Sequence, residues 1–172
     1  MQTISADWKL HRLTSETQVS DFDCGDEDLN DFIKSDALKN QNDWLSVTMV
    51  LENSAGKVAG FYTITPDTLH KGRIAKSDKI GDYPYQKYPA IKLARLAVDK
   101  VYQHQGFGKE LMSEFFVQAW QAVTTEGGRF ITIDAKNDAV SFYQQYGFVS
   151  ALEKSTESII PLYLDFYRYY NR

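Results

Sequence analysis

The stretch that most constrains this chain is Leu93 to Leu111, LARLAVDKVYQHQGFGKEL. An apolar strand pattern runs into Gln103-His104-Gln105-Gly106-Phe107-Gly108, and a strongly periodic helix follows at once. The first four N–H groups of a helix have no intrahelical partner, and the helix dipole favours negative charge at that end. Glycine there lets an anion reach the backbone, so the segment reads either as a phosphate cradle or as a ligand-free strand-to-helix turn. Two nucleotide motifs are excluded. A Walker A loop needs glycine where Gln103 stands and Ser or Thr where Glu110 stands. A dinucleotide fingerprint needs a third glycine at Leu111.

Around this segment the pattern predicts one domain spanning 1–172 with no repeat and no linker. Strands are expected at 8–13, 46–52, 57–65, 91–98, 130–135, 148–153 and 161–167. Helices are expected at 26–40, 109–123 and 139–146. Pro66 should end its strand, and 67–90 reads as a loop or a short flanked helix. Leu111, Met112, Phe115, Phe116, Ala119, Trp120 and Val123 form the stripe expected to be buried on the long helix. This order implies a mixed α+β fold with helices on both faces of the sheet.

Apolar residues are 43% of the 172, too dispersed for a membrane span, and a single cysteine excludes a disulfide framework. No apolar leader opens the chain, so a cytoplasmic location is expected. The net charge of −4 argues against a generally basic nucleic-acid binder. The charge is uneven, however. Six acids and no base lie between Asp21 and Asp31, and seven bases against two acids lie between Lys71 and Arg95.

The loop resembles the acetyl-CoA loop of the GNAT (GCN-five-related) acetyltransferases, [QR]-x-x-G-x-[GA] directly after a strand, through Gln103, Gly106 and Gly108. The resemblance implies a GNAT fold: a mostly antiparallel sheet splayed between two neighbouring parallel strands. Acetyl-CoA would be the co-substrate. Its pyrophosphate would lie on Gln103, His104, Gln105, Gly106, Phe107, Gly108 and Lys109. Its pantetheine arm would pair with the backbone of Leu96, Ala97 and Val98, the splayed neighbour being the strand around Ile131 to Asp134. The Val98 N–H would face the developing oxyanion.

A second stretch, Asn137 to Phe148, resembles the signature A-x-x-x-Y followed by x-x-x-G-F through Ala139, Tyr143, Gly147 and Phe148. On its own Tyr143 reads as a core aromatic. The resemblance makes it the acid that protonates the departing CoA thiolate, for which a phenol suits. The family's pantetheine-binding asparagine would fall at Lys136; Asn137 lies one residue closer to the tyrosine. No general base is assigned.

Phe22-Asp23-Cys24-Gly25, Leu29-Asn30-x-Phe32-Ile33, Lys57 to Tyr62 and Arg95 to Asp99 resemble the GNAT toxins of bacterial toxin–antitoxin pairs. That branch implies acetylation of the α-amine of charged tRNA, with a small DNA-binding antitoxin and a homodimer among the partners. Lys71, Arg73, Lys76, Lys79 and Arg95 would then meet RNA phosphates. Two other readings stay open. One is transfer to a small-molecule or protein amine, with Asp23, Asp26 and Asp28 attracting a cation. The other is a CoA-binding module without turnover. No metal is expected: a calcium loop from Asp21 fails at Asp26 and Phe32, and His11, His70 and His104 lack ligand spacing. Cys24 reads as a packing residue, and the aromatic tail Tyr163 to Tyr170 as a strand with core or dimer contact.

Overall fold

The computed structural model describes residues 7–152 and 158–171. Its elements are β1 (Trp8–Arg12), α1 (Glu27–Asp31), α2 (Ala37–Asn42), β2 (Val47–Asn53), β3 (Val58–His70), β4 (Lys87–Val98), α3 (Phe107–Thr125), β5 (Phe130–Lys136), α4 (Val140–Gln144), β6 (Val149–Ser150), β7 (Ile159–Asp165) and α5 (Phe166–Tyr170). A π-helical turn, Phe32–Asp36, joins α1 to α2. The strands are hydrogen-bonded in the order β1-β2-β3-β4-β5-β7-β6, a mostly antiparallel sheet with two parallel strands. The chain divides into two compact units, 1–65 with 93–118 and 66–92 with 119–172.

In the first unit β3 packs with opposite residues on opposite faces, as its two-residue period requires. Phe61 meets Phe22 and Phe32 at centroid distances of 5.5 and 6.2 Å, while Tyr62 meets Phe115 of α3 at 5.8 Å. Helices therefore cover both faces of the sheet within this unit. The spacing that predicts a helix over 26–40 is realised in three joined pieces. Asp26 caps the start by accepting from Leu29 N at 3.2 Å, and Ile33, Ala37 and Gln41 continue the buried row. Gln41 is polar but satisfied: Nε2 donates to Leu13 O at 2.8 Å and Oε1 accepts from Thr48 N at 3.1 Å.

Gly60 fixes how closely β4 and α3 approach β3. A Cβ built there would lie 2.5 Å from Ala97 O and 2.8 Å from Leu111 Cδ1. Neither the backbone oxygen nor the buried leucine can give way cheaply. Gly60→Ala should therefore destabilise the protein by about 1–3 kcal/mol, the usual cost of overpacking, measured by chemical denaturation. An unchanged unfolding midpoint would refute the close approach.

In the second unit β5 and β7 pair antiparallel from Phe130↔Asp165 to Lys136↔Ile159. Its core gathers Leu69, Ile74, Tyr88, Ala90, Phe130 and Tyr163. Tyr163 Oη accepts from Ala75 N at 3.1 Å and donates to Asp78 Oδ2 at 2.7 Å, so a buried ring pins the 71–80 segment by its polar tip.

Several expectations need correction. Pro66 does not end its strand: β3 continues to His70. Its last residue paired with β2 is Ile64, opposite Val47 where β2 begins, so the donor that proline lacks falls outside the β2 pairing. The 67–90 segment holds a strand end, two 3₁₀ turns (Lys71–Arg73 and Lys76–Asp78) and the start of β4 at Lys87 rather than 91. Trp120 belongs to the predicted buried stripe yet is 43% exposed, with its ring against Tyr170 at 4.5 Å. β6 is only two residues long, and the end of its predicted range, Glu153, lies outside the described residues. Residues 166–167 belong to α5 and not to the last strand, because the Asp165 side chain caps a helix there, accepting from Arg168 N at 3.1 Å. No described helix is long and apolar enough to cross a membrane.

Candidate active site

β4 ends at Val98, and a 3₁₀ turn, Lys100–Tyr102, leads into the glycine loop. Asp99 organises that turn. Its Oδ1 accepts from Val101 N and its Oδ2 from Asp23 N, each at 2.9 Å. The Asp99 N–H donates to Ala59 O on β3 at 2.9 Å. Backbone groups alternate edges along a strand, so Ala97 faces β3 with Asp99, and Leu96 and Val98 face the opposite edge. Of the three residues expected to line a pantetheine arm, two have backbone groups on the edge turned away from β3.

The loop itself is left-handed at two positions, His104 with φ +62° and Gly106 with φ +94°. Gly106 O accepts from Lys109 N at 3.0 Å and Glu110 N at 3.1 Å, which starts α3. A Cβ at Gly106 would meet nothing within 4 Å, so the space over the loop is open. This fits a phosphate group seated on the amides of a helix N-terminus. Beneath the loop, Phe107 is buried against Trp8 and Tyr102, with centroid distances of 5.0 and 5.3 Å. Alternation of a buried Phe107 with glycines at Gly106 and Gly108 anchors the loop from one side and keeps the other open.

Gln103 holds the loop instead of reaching out from it. Its Nε2 donates to Cys24 O and Val98 O, both at 2.9 Å, which uses both amide protons. The Phe22-Asp23-Cys24-Gly25 stretch is the other half of this clasp. Asp23 O accepts from Lys100 N at 2.9 Å, and Asp23 Oδ2 pairs with Lys100 Nζ at 2.8 Å. Asp23 Oδ1 accepts from Gly25 N and Asn30 Nδ2. The Lys100 ammonium, with those two donors, holds the Asp23 carboxyl well below the usual carboxylate range. Asp23 and Asp26, considered above as attractors of a cationic substrate, are thus used in the loop clasp and a helix cap. Cys24 packs beside the core with its thiol pushed up by burial, which fits a packing residue and not a nucleophile.

Tyr143 lies on α4 in the second unit. Its ring is buried, edge-on to Phe148 at 6.1 Å, and Gly147 closes the helix with φ +89°. Burial pushes the phenol up to about 12. Such a group is protonated at neutral pH and suited to give a proton, not to take one. Asn137 is exposed in the 3₁₀ turn that precedes α4.

The basic residues separate. Arg73, Lys76 and Lys79 are exposed on or beside the two 3₁₀ turns. Lys71 turns inward, donating to Tyr83 O and lying over the Tyr83 and Tyr88 rings at 5.4 and 5.7 Å. Arg95, in the first unit, lies over the Phe32 ring at 5.0 Å. No group of metal-ligating side chains occurs among the described residues. Sequence reasoning missed Asp99, Lys100 and Gly60. Only Asp99, an acid directly before a helical turn, carried a local signal, that of a cap.

Residues 14–161 match the acetyltransferase (GNAT) domain family. A tRNA-acetylating toxin of Mycobacterium tuberculosis (strain ATCC 25618 / H37Rv) is 32% identical over 142 residues, 80% of this chain and 81% of that one. Among solved structures, a mutant of KacT superposes with a TM-score of 0.86 at 23% identity, covering 96% of this chain and 98% of the other. AtaT complexed with acetyl-methionyl-tRNAfMet superposes with a TM-score of 0.81 at 24% identity, covering 90% and 94%. The chain belongs to the GNAT acetyltransferase family and is an N-acetyltransferase.

Proposed function

We propose that the protein transfers an acetyl group from acetyl-CoA directly to the α-amine of the aminoacyl group on charged tRNA, a toxin activity that withdraws tRNA from translation. The observation that carries this reading is the 32% identity, across four-fifths of both chains, to a relative described as a tRNA-acetylating toxin. The exposed bases on the 3₁₀ turns support it, since RNA binding requires phosphate neutralisation.

Acetyl-CoA supplies an activated acetyl thioester. The amides of the 103–109 loop hold its pyrophosphate, and the edge of β4 turned away from β3, with Leu96 and Val98, aligns the pantetheine arm. The Val98 N–H stabilises negative charge that builds on the thioester oxygen. The neutral amine attacks the carbonyl carbon, the C–S bond breaks, and the Tyr143 hydroxyl gives its proton to the departing sulfur. The proton lost by the amine passes to water. The first unit serves acetyl-CoA through its loop, and Tyr143 on α4 serves as the acid. We further propose that all 172 residues act as one acetyltransferase domain. Its location would be cytoplasmic, where charged tRNA is found, and a small DNA-binding antitoxin and a second copy of the chain would be partners.

Labelled acetyl-CoA incubated with charged tRNA tests the reading directly. The expected product is acetyl-aminoacyl-tRNA, and label found only on small amines or proteins would overturn it. Neutral replacements of Arg73, Lys76 and Lys79 together should weaken tRNA acetylation and flatten its salt dependence. Each lost phosphate contact removes roughly 0.7–0.9 from the log–log slope. Acetyl transfer to a small amine analogue should be unchanged. An equal loss on both acceptors would remove the RNA role from these residues.

A further inference from the structure

The segment Ile80 to Lys87 holds a feature that phosphate contact alone does not explain. Tyr85 is 68% exposed. Single exposed apolar residues are ordinary on protein surfaces, but this ring has a built support. Tyr83 meets it edge-on at 5.5 Å and itself lies on Tyr88 at 4.9 Å. Tyr88 is fully buried, and its hydroxyl accepts from Ile80 N at 3.0 Å. The Lys71 ammonium lies over the Tyr83 and Tyr88 rings and donates to Tyr83 O, while Lys71 N donates to Gln86 O at 2.9 Å. Tyr85 thus stands on an aromatic and cationic base that reaches the core of its unit, and its exposed face is held in place before any partner arrives.

The charge of its segment is one-sided. From 71 to 87 the acids are Asp78 and Asp82, and the exposed bases are Arg73, Lys76, Lys79 and Lys87. Asp78 is already used: Tyr163 donates to its Oδ2 and Arg168 to its Oδ1, both at 2.7 Å. The other acid of the segment is Asp82. A supported, exposed aromatic face on a base-rich segment is the combination that binds single-stranded nucleic acid, because every base has a π-face while the phosphates need cations.

We propose that Tyr85 is a stacking platform for an unpaired nucleobase of the RNA acceptor, on the segment that also carries the exposed bases Lys76, Lys79 and Lys87. This rests on the charged-tRNA reading and deepens it: the enzyme holds its acceptor by a base as well as by phosphates.

The test compares Tyr85→Ala and Tyr85→Phe with the unaltered protein. Affinity for deacylated tRNA, its salt dependence, and acetylation of charged tRNA are measured for each. Loss of one stacked base should weaken tRNA binding about 5- to 150-fold in Tyr85→Ala. The salt slope should not change, because no cation is lost. Tyr85→Phe should bind like the unaltered protein, and both variants should keep the acetyl-CoA affinity, since Tyr85 lies outside the acetyl-CoA loop. Equal tRNA binding by Tyr85→Ala in a protein that does acetylate charged tRNA overturns the stacking role and leaves the substrate reading standing. A loss in Tyr85→Ala with no acetylation of charged tRNA by the unaltered protein overturns the substrate reading and leaves the stacking role. No tRNA binding by the unaltered protein overturns both.

Discussion

Tyr143→Phe is expected to lower turnover at least about tenfold while acetyl-CoA affinity changes little. The substitution removes one hydroxyl from a ring that is buried and packed on Phe148, so the fold should survive. General acid catalysis is typically worth about 10²–10⁴-fold, and an acid that acts as the thiolate departs affects turnover more than binding. The pH profile supplies a second check. Burial stabilises the neutral phenol and pushes it up to about 12. The acid therefore stays protonated through the neutral and mildly alkaline range, and its proton is lost only as pH rises toward that value. Turnover of the unaltered enzyme should show no alkaline fall from this group between about pH 7 and 9, two or more units below it. Full activity in Tyr143→Phe would return this residue to a purely structural role.

Gly106→Glu should abolish measurable acetyl-CoA binding in a folded protein. Gly106 has φ +94°, a conformation that L side chains rarely adopt, and its missing Cβ faces open space over the loop. A glutamate there would strain the turn and place a negative charge where the pyrophosphate is expected. Calorimetric titration with acetyl-CoA is the readout, with circular dichroism to confirm folding. Retained affinity in a folded variant would move the pyrophosphate away from this loop. Gly106→Ala separates the two causes: it keeps the backbone strain without the added charge, so its loss should be smaller.

Strand, glycine loop and helix were legible in one continuous segment, because a glycine turn at a helix N-terminus is built from neighbouring residues. Gln103, Gly106 and Gly108 announced it, and the structure adds the left-handed turns and the buried Phe107 that hold it open. The Tyr143 stretch was legible for the same reason, its helix, left-handed glycine and packing phenylalanine lying within a few residues. The hidden features depend on partners far apart in the chain. Pro66 continues a strand because the β2 pairing stops at Ile64, opposite Val47, and nothing local to Pro66 records where β2 begins. Trp120 fits the helical stripe by period, yet its ring rests on Tyr170 at the surface, a contact made by a helix fifty residues away.

The charge runs show the division most clearly. Composition alone gave an acidic segment at 21–31 and a basic one at 71–95. The fold assigned them different work: Asp23 joins Lys100 and Asp99 in a clasp around the loop, and Lys71 is drawn onto Tyr83 and Tyr88. Local sequence determined the shape of the glycine loop, since backbone conformation and helix dipole act over a few residues. Tertiary structure alone decided which charges are used up within the protein and which face solvent, because an ion pair depends on distance in space and not on separation along the chain.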